Sequence, residues 1–334
     1  MDKNDLQQQF FKAIKAKLLP HQSMVDEMQE LLNMSADSAY RRIRGEKPLS
    51  IDEAKLLCNA YHISMDQFFA EGRNQTLFQG KFLNKDTFDF GAYLQNIQGL
   101  LQHVDSLSDK KIYIDTKDVP PFHYYQFPHL AAFKCYVWMQ FMLQYDEQNK
   151  ILFDHDELIL PLLDTGKKIA ELYSRIPSVE IWNLESINST LRQIKFYYEC
   201  GIIKNKQTVD KLYDELSSLI THIQSQTQRG KKFLYGNANS EHDAAYTVFV
   251  NGVFLGDNTM MLETPTETTV FITHGVLNFM STTDEKFTNH SKNTFNNIMR
   301  KSSLISGVNE LDRSRFFNNM QQRIVQNKNF ETLG

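Results

Sequence analysis

Cysteine is scarce in this chain: Cys58, Cys135 and Cys200 are all there are among 334 residues. An odd number, far apart and without a CxxC pair, argues against a disulfide framework or a zinc ribbon and fits a reducing, cytoplasmic setting. Fourteen glycines and eight prolines are too few for collagenous, low-complexity or disordered sequence. Long apolar runs are missing too. The most apolar stretch, residues 130–143, is broken by Lys134 and Gln140 and falls short of the roughly 20 residues that cross a bilayer, so a buried helix and no membrane partner are expected. The N-terminus, Met-Asp-Lys-Asn-Asp, lacks the basic and apolar stretches of a secretory signal. Charge of neither sign dominates: 36 Lys and Arg against 40 Asp and Glu leave −4, so any contact with nucleic acid must come from a local patch. What is present, 41% hydrophobic and 23% charged residues, is the mix of a folded and rather helical chain with room for about two domains.

Leu6, Phe10, Ile14 and Leu18 recur at a spacing of four, which predicts a first helix ended by Pro20. Ser23 suits the N-cap of a second, with Val25, Met28, Leu31 and Leu32 on its inner face, and Asn33 suits a turn at positive φ. Ser35 caps a third over residues 36–44. Ala39 and Ile43 lie one turn apart on its inner side, Tyr40 flanks them, and Gly45 stops it. Its other faces show Asp37, Ser38, Arg41, Arg42 and Arg44, followed by Lys47, a basic strip on an otherwise balanced segment. Ser50-Ile51-Asp52-Glu53 is a capping box for a fourth helix through Ala54, Leu57 and Tyr61, and Ser64-Met65-Asp66-Gln67 opens a short fifth into Phe68 and Phe69.

The run Leu-Leu-Asn-Met-Ser-Ala-Asp-Ser-Ala-Tyr-Arg-Arg-Ile-Arg-Gly-Glu-Lys-Pro-Leu-Ser-Ile-Asp-Glu-Ala resembles the Cro/CI-type (XRE-like) helix-turn-helix regulators, and the likeness extends over residues 24–69, about a seventh of the chain. It implies that the helix opening at Ser35 reads DNA, that Met28, Leu32, Met34 and Ala39 hold it to the helix before it, and that Ala36, Asp37, Ser38 and Arg41 face bases or phosphates. Val25 stands where the family commonly has a phosphate-touching Gln, Gln29 where it has a small Ala, and Asn33 where it has the turn Gly. The core position near residue 42 is also Arg here, with Ile43 next to it, which leaves Arg41 and Arg42 as the alternatives for the groove, Arg41 being favoured. Independently of the likeness, an arginine can contact guanine O6 and N7 with both its nitrogens, the major groove admits one helix, and serine hydroxyls with a helix N-terminus suit phosphate. The candidate DNA-binding residues are therefore Ser35, Ala36, Asp37, Ser38, Arg41, Arg42, Arg44 and Lys47. Residues 1–70 hold nine basic and ten acidic residues, so a monomer should bind weakly and a homodimer through residues beyond about 90 is expected.

Residues 71–87 lose helical periodicity and read as a linker. Thr87 can cap a helix carrying Tyr93, Leu94, Ile97, Leu100, Leu101 and Val104; residues 111–116 alternate as a strand, and Pro120-Pro121 breaks the chain. The aromatic run His123, Tyr124, Tyr125, Phe127, Phe133, Tyr136 and Trp138 reads chiefly as core, with a ligand pocket as the other reading. Residues 184–200 and 208–226 suggest an antiparallel helical hairpin without a tetratricopeptide repeat. Tyr246-Thr247-Val248-Phe249-Val250, Asn251-Gly252 and Val253-Phe254-Leu255 give a hairpin signal. Residues 260–263 and 269–273 add strands of a small antiparallel meander before helices carrying Phe295, Ile298, Met299 and then Leu311, Phe316, Phe317, Met320 and Ile324. Two segments, 301–307 and 118–123, look similar to parts of large bacterial regulators of the Bacteroidetes kind.

Enzyme motifs fail on context. Leu162-Leu163-Asp164-Thr165-Gly166 resembles an aspartic-protease string but runs into the amphipathic Lys167-Lys168-Ile169-Ala170-Glu171-Leu172 and has no second copy. Gly166-Lys167 lacks the upstream Gly of a phosphate loop. Asp154-His155-Asp156-Glu157 diverge on a helix, and His242 and His274 are lone histidines, so no metal and no cofactor are expected. The expected fold is mainly α: a five-helix helix-turn-helix domain over 1–70, the linker over 71–87, a mostly helical middle over 88–229, and a mixed α+β region over 230–334. The expected function is that of a non-catalytic, sequence-specific regulator binding double-stranded DNA, with a C-terminal part that dimerises or senses a small-molecule or protein effector. The alternative is a protein-protein adaptor built on the same helical bundle.

Overall fold

The computed structural model describes residues 5–329 except 20–21, 62, 66–67, 69–75, 81–87, 144–151, 154, 238–243, 254–255 and 276. The chain divides into two compact units, Met1–Phe78 and Gln79–Gly334. It is a mixed α and β protein.

The first unit contains α1 (Asp5–Lys17), α2 (Met24–Leu32), α3 (Ala36–Ile43) and α4 (Ile51–Tyr61). Local capping fixes three of the helix starts. Ser23 Oγ accepts from the amide of Asp26, Ser35 Oγ from that of Ser38, and Ser50 Oγ from that of Glu53. Asn33 ends α2 in the left-handed region at φ 48°, which Asn enters more readily than most residues. Phe10, Phe11 and Ile14 of α1 then meet Met28, Ala39 and Leu57 from the other three helices, closed by Ile63. Phe10 meets Phe68 edge to face at 5.5 Å. Of the expected fifth helix, Asp66, Gln67 and Phe69 lie outside the described residues, as do Pro20 and most of the expected linker.

The second unit is built on one eight-stranded sheet: β1 (Gln79–Gly80), β2 (Lys111–Asp115), β3 (Ser178–Trp182), β4 (Tyr246–Val250), β5 (Met260–Glu263), β6 (Thr268–His274), β7 (Asn278–Thr282) and β8 (Ser303–Leu304). The spatial order is β1-β7-β6-β5-β2-β3-β4-β8. Its centre, β2-β3-β4, is parallel, and every other pairing is antiparallel. Parallel neighbours require crossovers, which the helices supply. Between β2 and β3 run α6 (Pro121–Tyr124), α7 (Pro128–Leu143) and α8 (His155–Arg175); between β3 and β4 run α9 (Asn188–Glu199) and α10 (Lys206–Arg229). One face of the sheet, through Ile112, Ile114, Trp182, Tyr246, Val248 and Leu262, packs on these helices together with α5 (Phe90–Ser106) and α12 (Glu310–Lys328). The other face, through Ile181, Met261 and Val270, is covered by α11 (Glu285–Arg300).

Four expectations change. The expected meander strands share one sheet with β2 and β3, so residues 88–229 and 230–334 form one body. Gln79 and Gly80, placed in the linker, pair with Ser281 and Met280. The Asn251-Gly252 hairpin does not form: β4 is flanked by β3 on one side and by β8 on the other, and Asn251 Oδ1 instead accepts from the amide of Val253, closing a local turn. Phe254 and Leu255 lie outside the described residues. Helix α5 is capped by Asp89, whose Oδ1 accepts from the amide of Ala92; Thr87 lies outside the described residues.

Candidate nucleic-acid interface

Eight residues form α3, and two faces divide them. Ala39 is fully buried and Ile43 packs on the same core. Asp37, Tyr40, Arg41 and Arg44 are exposed, and their spacing of three, one and three residues aligns them in one stripe on a 3.6-residue helix. Ser35 is exposed at the N-terminus, Ala36 and Ser38 are half-buried, and Lys47 is exposed just beyond the end. The helix stops where Gly45 takes φ 79°, a conformation that costs glycine nothing.

Arg42 is the correction. It is only 7% exposed and points away from the open stripe. Its Nη2 donates to Glu53 Oε1 at 2.6 Å and its Nε to Oε2 at 3.2 Å, while Nη1 reaches the Ser38 carbonyl at 3.4 Å. Glu53 Oε2 also accepts from the Ser50 amide at 2.8 Å. The capping carboxylate of α4 thus doubles as the anchor of α3. Burial raises the pKa of Glu53, but the Arg42 hydrogen bonds, the Ser50 amide and the guanidinium charge outweigh it and hold the carboxyl below its ordinary value. The two-nitrogen fork favours this paired geometry.

Two contributors carry little local sequence signal. Gln7 of α1 donates through Nε2 to the carbonyls of Arg42 (2.7 Å) and Lys47 (2.9 Å) and accepts at Oε1 from the Leu49 amide (3.0 Å). It therefore clamps the segment that follows α3. Tyr40, expected to flank the core, is 52% exposed. Around the stripe, Glu46 lies 3.9 Å from Arg41 Nε and 3.0 Å from Arg44 Nε, so one carboxylate faces both open guanidiniums.

In the second unit the aromatic run is core: Tyr124, Tyr125, Phe127, Phe133 and Tyr136 are buried in its two largest apolar clusters, with Trp138 packed against both. Beneath it sits Glu180, fully buried, accepting from His123 Nε2 (2.9 Å), Trp182 Nε1 (2.7 Å), Tyr246 OH (2.8 Å) and Tyr173 OH. Burial alone raises its pKa; His123 and the hydroxyl donors reverse the direction and keep the carboxyl ionised. Lys232, 1% exposed, stands 3.6 Å over the Tyr173 ring, and Nζ has no hydrogen-bond acceptor among the described residues. Burial lowers its pKa to about 7 against the opposing pull of Glu180. Lys134 is buried too but satisfied, donating to Asp118 (3.1 Å), Thr190 (3.2 Å) and Gln193 (2.9 Å). A cleft of about 390 Å³ opens at the carboxyl ends of β3 and β4, where Asn183, Leu184 and Asn251 face Asp312, Arg315 and Phe316 of α12.

The string from Leu162 to Gly166 lies inside α8, with Asp164 exposed. Gly166 faces the Tyr125 ring, which a Cβ there would meet at 2.8 Å, so close helix packing accounts for the glycine. Asp154 and His242 lie outside the described residues. Among the described residues there is no cluster of His, Cys, Asp and Glu suited to a metal, and no helix long and apolar enough to cross a membrane. Comparison of the chain with protein-family models, with curated proteins and with solved structures finds no match.

Proposed function

We propose that the first unit is a sequence-specific reader of double-stranded DNA and that α3 is the element that enters the major groove. The observation that carries this reading is the division of α3: a capped two-turn helix whose inner side is held by Ala39, Ile43 and the Arg42–Glu53 pair, leaving Asp37, Tyr40, Arg41 and Arg44 on one open stripe. Arg41 is the residue that reads a base, Ser35 and the first amides of α3 meet phosphate, and Arg44 and Lys47 add backbone contacts. The role is non-catalytic regulation of transcription in the cytoplasm. The second unit dimerises the chain and takes any effector, so the operator is a palindrome with half-sites about 34 Å apart or a multiple of it.

A genome-wide footprint of the bound protein, followed by binding of the full chain to the recovered site, tests the reading. Arg41→Ala should cost about 1–3 kcal/mol and relax one base position. A wild-type affinity for Arg41→Ala, Arg44→Ala and Lys47→Ala alike would remove it. A monomeric mass at micromolar concentration, on and off DNA, would remove the dimer. The adaptor reading is favoured by one observation, the exposure of Tyr40, Leu56 and Ile51, the last at 88%; it predicts a protein partner and no salt-dependent duplex binding.

A further inference from the structure

Helix α11 covers its face of the sheet through Phe287, Phe295, Ile298 and Met299. At 100° per residue, Lys286, Asn289, His290, Asn293, Asn297 and Arg300 fall within an arc of about 100° centred opposite Phe295, and Lys301 continues it at the helix end. All seven are exposed. None makes a hydrogen bond or ion pair with another described residue through its side chain. The stripe contains no carboxylate, and the sequence has none from Lys286 to Asn309, a stretch that holds Lys286, Lys292, Arg300 and Lys301. From Glu285 onward the chain carries eight Lys and Arg against four Asp and Glu, whereas the residues before it are acidic, with 28 against 36. Such segregation is more than an ordinary solvated helix needs, since solvated faces commonly intersperse both signs.

We propose that the outer stripe of α11 is a second nucleic-acid contact, one that holds the sugar-phosphate backbone of duplex DNA without reading its sequence. Three cations with asparagine amides between them supply charge and neutral donors, the side chains that meet phosphate oxygens most often. The helix is about 24 Å long, enough to follow several phosphates along a groove edge. The choice of duplex DNA as the polyanion rests on the reading of α3 given above; the charge and geometry of the stripe do not. The contact compensates for a first unit in which basic residues do not outnumber acidic ones.

The test uses the full chain, titrated at several salt concentrations against a labelled 30-base-pair duplex that carries the recovered site and against one of arbitrary sequence. The variant Lys286→Gln/Arg300→Gln/Lys301→Gln changes only exposed side chains without partners among the described residues, so its melting temperature and far-ultraviolet spectrum should match wild type. It should bind the arbitrary duplex about tenfold or more weakly, and the slope of log affinity against log salt should fall by about 2–3. Arg41→Ala should instead lose discrimination between sequences and leave most of that slope. If the triple variant binds and titrates like wild type while Arg41→Ala loses discrimination, the α11 contact is refuted and the α3 reading stands. If the triple variant weakens and Arg41→Ala, Arg44→Ala and Lys47→Ala do nothing, the reverse holds. Wild-type protein that ignores duplex DNA but binds phosphatidylglycerol vesicles through the same three residues, or binds neither, overturns the proposal.

Discussion

Replacing Arg42 with alanine separates the two roles an arginine on α3 can play. In the structure its side chain is 9% exposed and that of Glu53 20% exposed, and two charge-assisted hydrogen bonds join them. Truncation removes both, takes away the apolar stem that packs with them, and leaves the Glu53 carboxylate with the Ser50 amide alone. Removing one partner of a fully buried pair costs ~3–5 kcal/mol. Glu53 is open to water along one edge, so we expect about 2 kcal/mol here. Hydrogen exchange of the full chain, read at the amides of α3 and α4, measures the loss locally. A double-mutant cycle with Glu53→Ala should return a coupling of about 1 kcal/mol or more. The pH dependence has a definite sign. The folded pKa of Glu53 lies below the ordinary value of 4.5, so the pair stabilises fully above that value and is lost as the pH falls through the folded pKa. Arg42→Ala should weaken this acid sensitivity to the part that the Ser50 amide supplies. Unchanged exchange in Arg42→Ala, combined with lost base discrimination, would place Arg42 in the groove and refute the division of α3.

Three further outcomes follow from particular contacts. Glu46→Gln frees Arg41 and Arg44 from a carboxylate that opposes DNA, so duplex affinity at low salt should rise severalfold while stability moves by less than about 0.5 kcal/mol, because exposed pairs contribute little; weaker binding would contradict it. Lys232 has a folded pKa of about 7 against 10.5 in the unfolded chain, so the unfolded state binds more protons between those values and stability should rise with pH across that window. Urea titrations of Lys232→Met should lack that rise and show a more stable protein at neutral pH; a parallel pH profile would contradict it. Gly166→Ala gains about 1 kcal/mol of helix propensity but forces a Cβ to 2.8 Å from the buried Tyr125 ring. Overpacking at ~1–3 kcal/mol decides the sign, so its melting temperature should fall, and a rise would show that the ring yields.

The first unit was legible where its determinants are local. Ser23, Ser35, Ser50 and Glu53 cap within three residues of themselves, so spacing alone marks three helix starts. Gln7 acts across 35–42 residues of sequence and Arg42 across 11, and such contacts leave no periodic trace. Tyr40 misleads for the opposite reason, as an aromatic residue on an open face. In the second unit β3 is buried at all five positions with a glutamate in the middle, so it shows neither the alternation of a half-exposed strand nor a clean apolar run. Glu180 is readable as a core residue only once Tyr173, Trp182, Tyr246 and His123 surround it. Asn251-Gly252 carries the composition of a hairpin turn, yet the neighbours of β4 come from residues about 70 positions earlier and 50 later.

Whether α3 reads a duplex is decided by selection from a randomised double-stranded library with the 334-residue chain. A palindromic motif should be enriched, with half-sites one helical turn or a multiple of it apart, and its selection by Arg41→Ala should lose information at one position in each half-site. Recovery of no motif at low salt, or of one that Arg41→Ala, Arg44→Ala and Lys47→Ala all select unchanged, would contradict a reading role for α3.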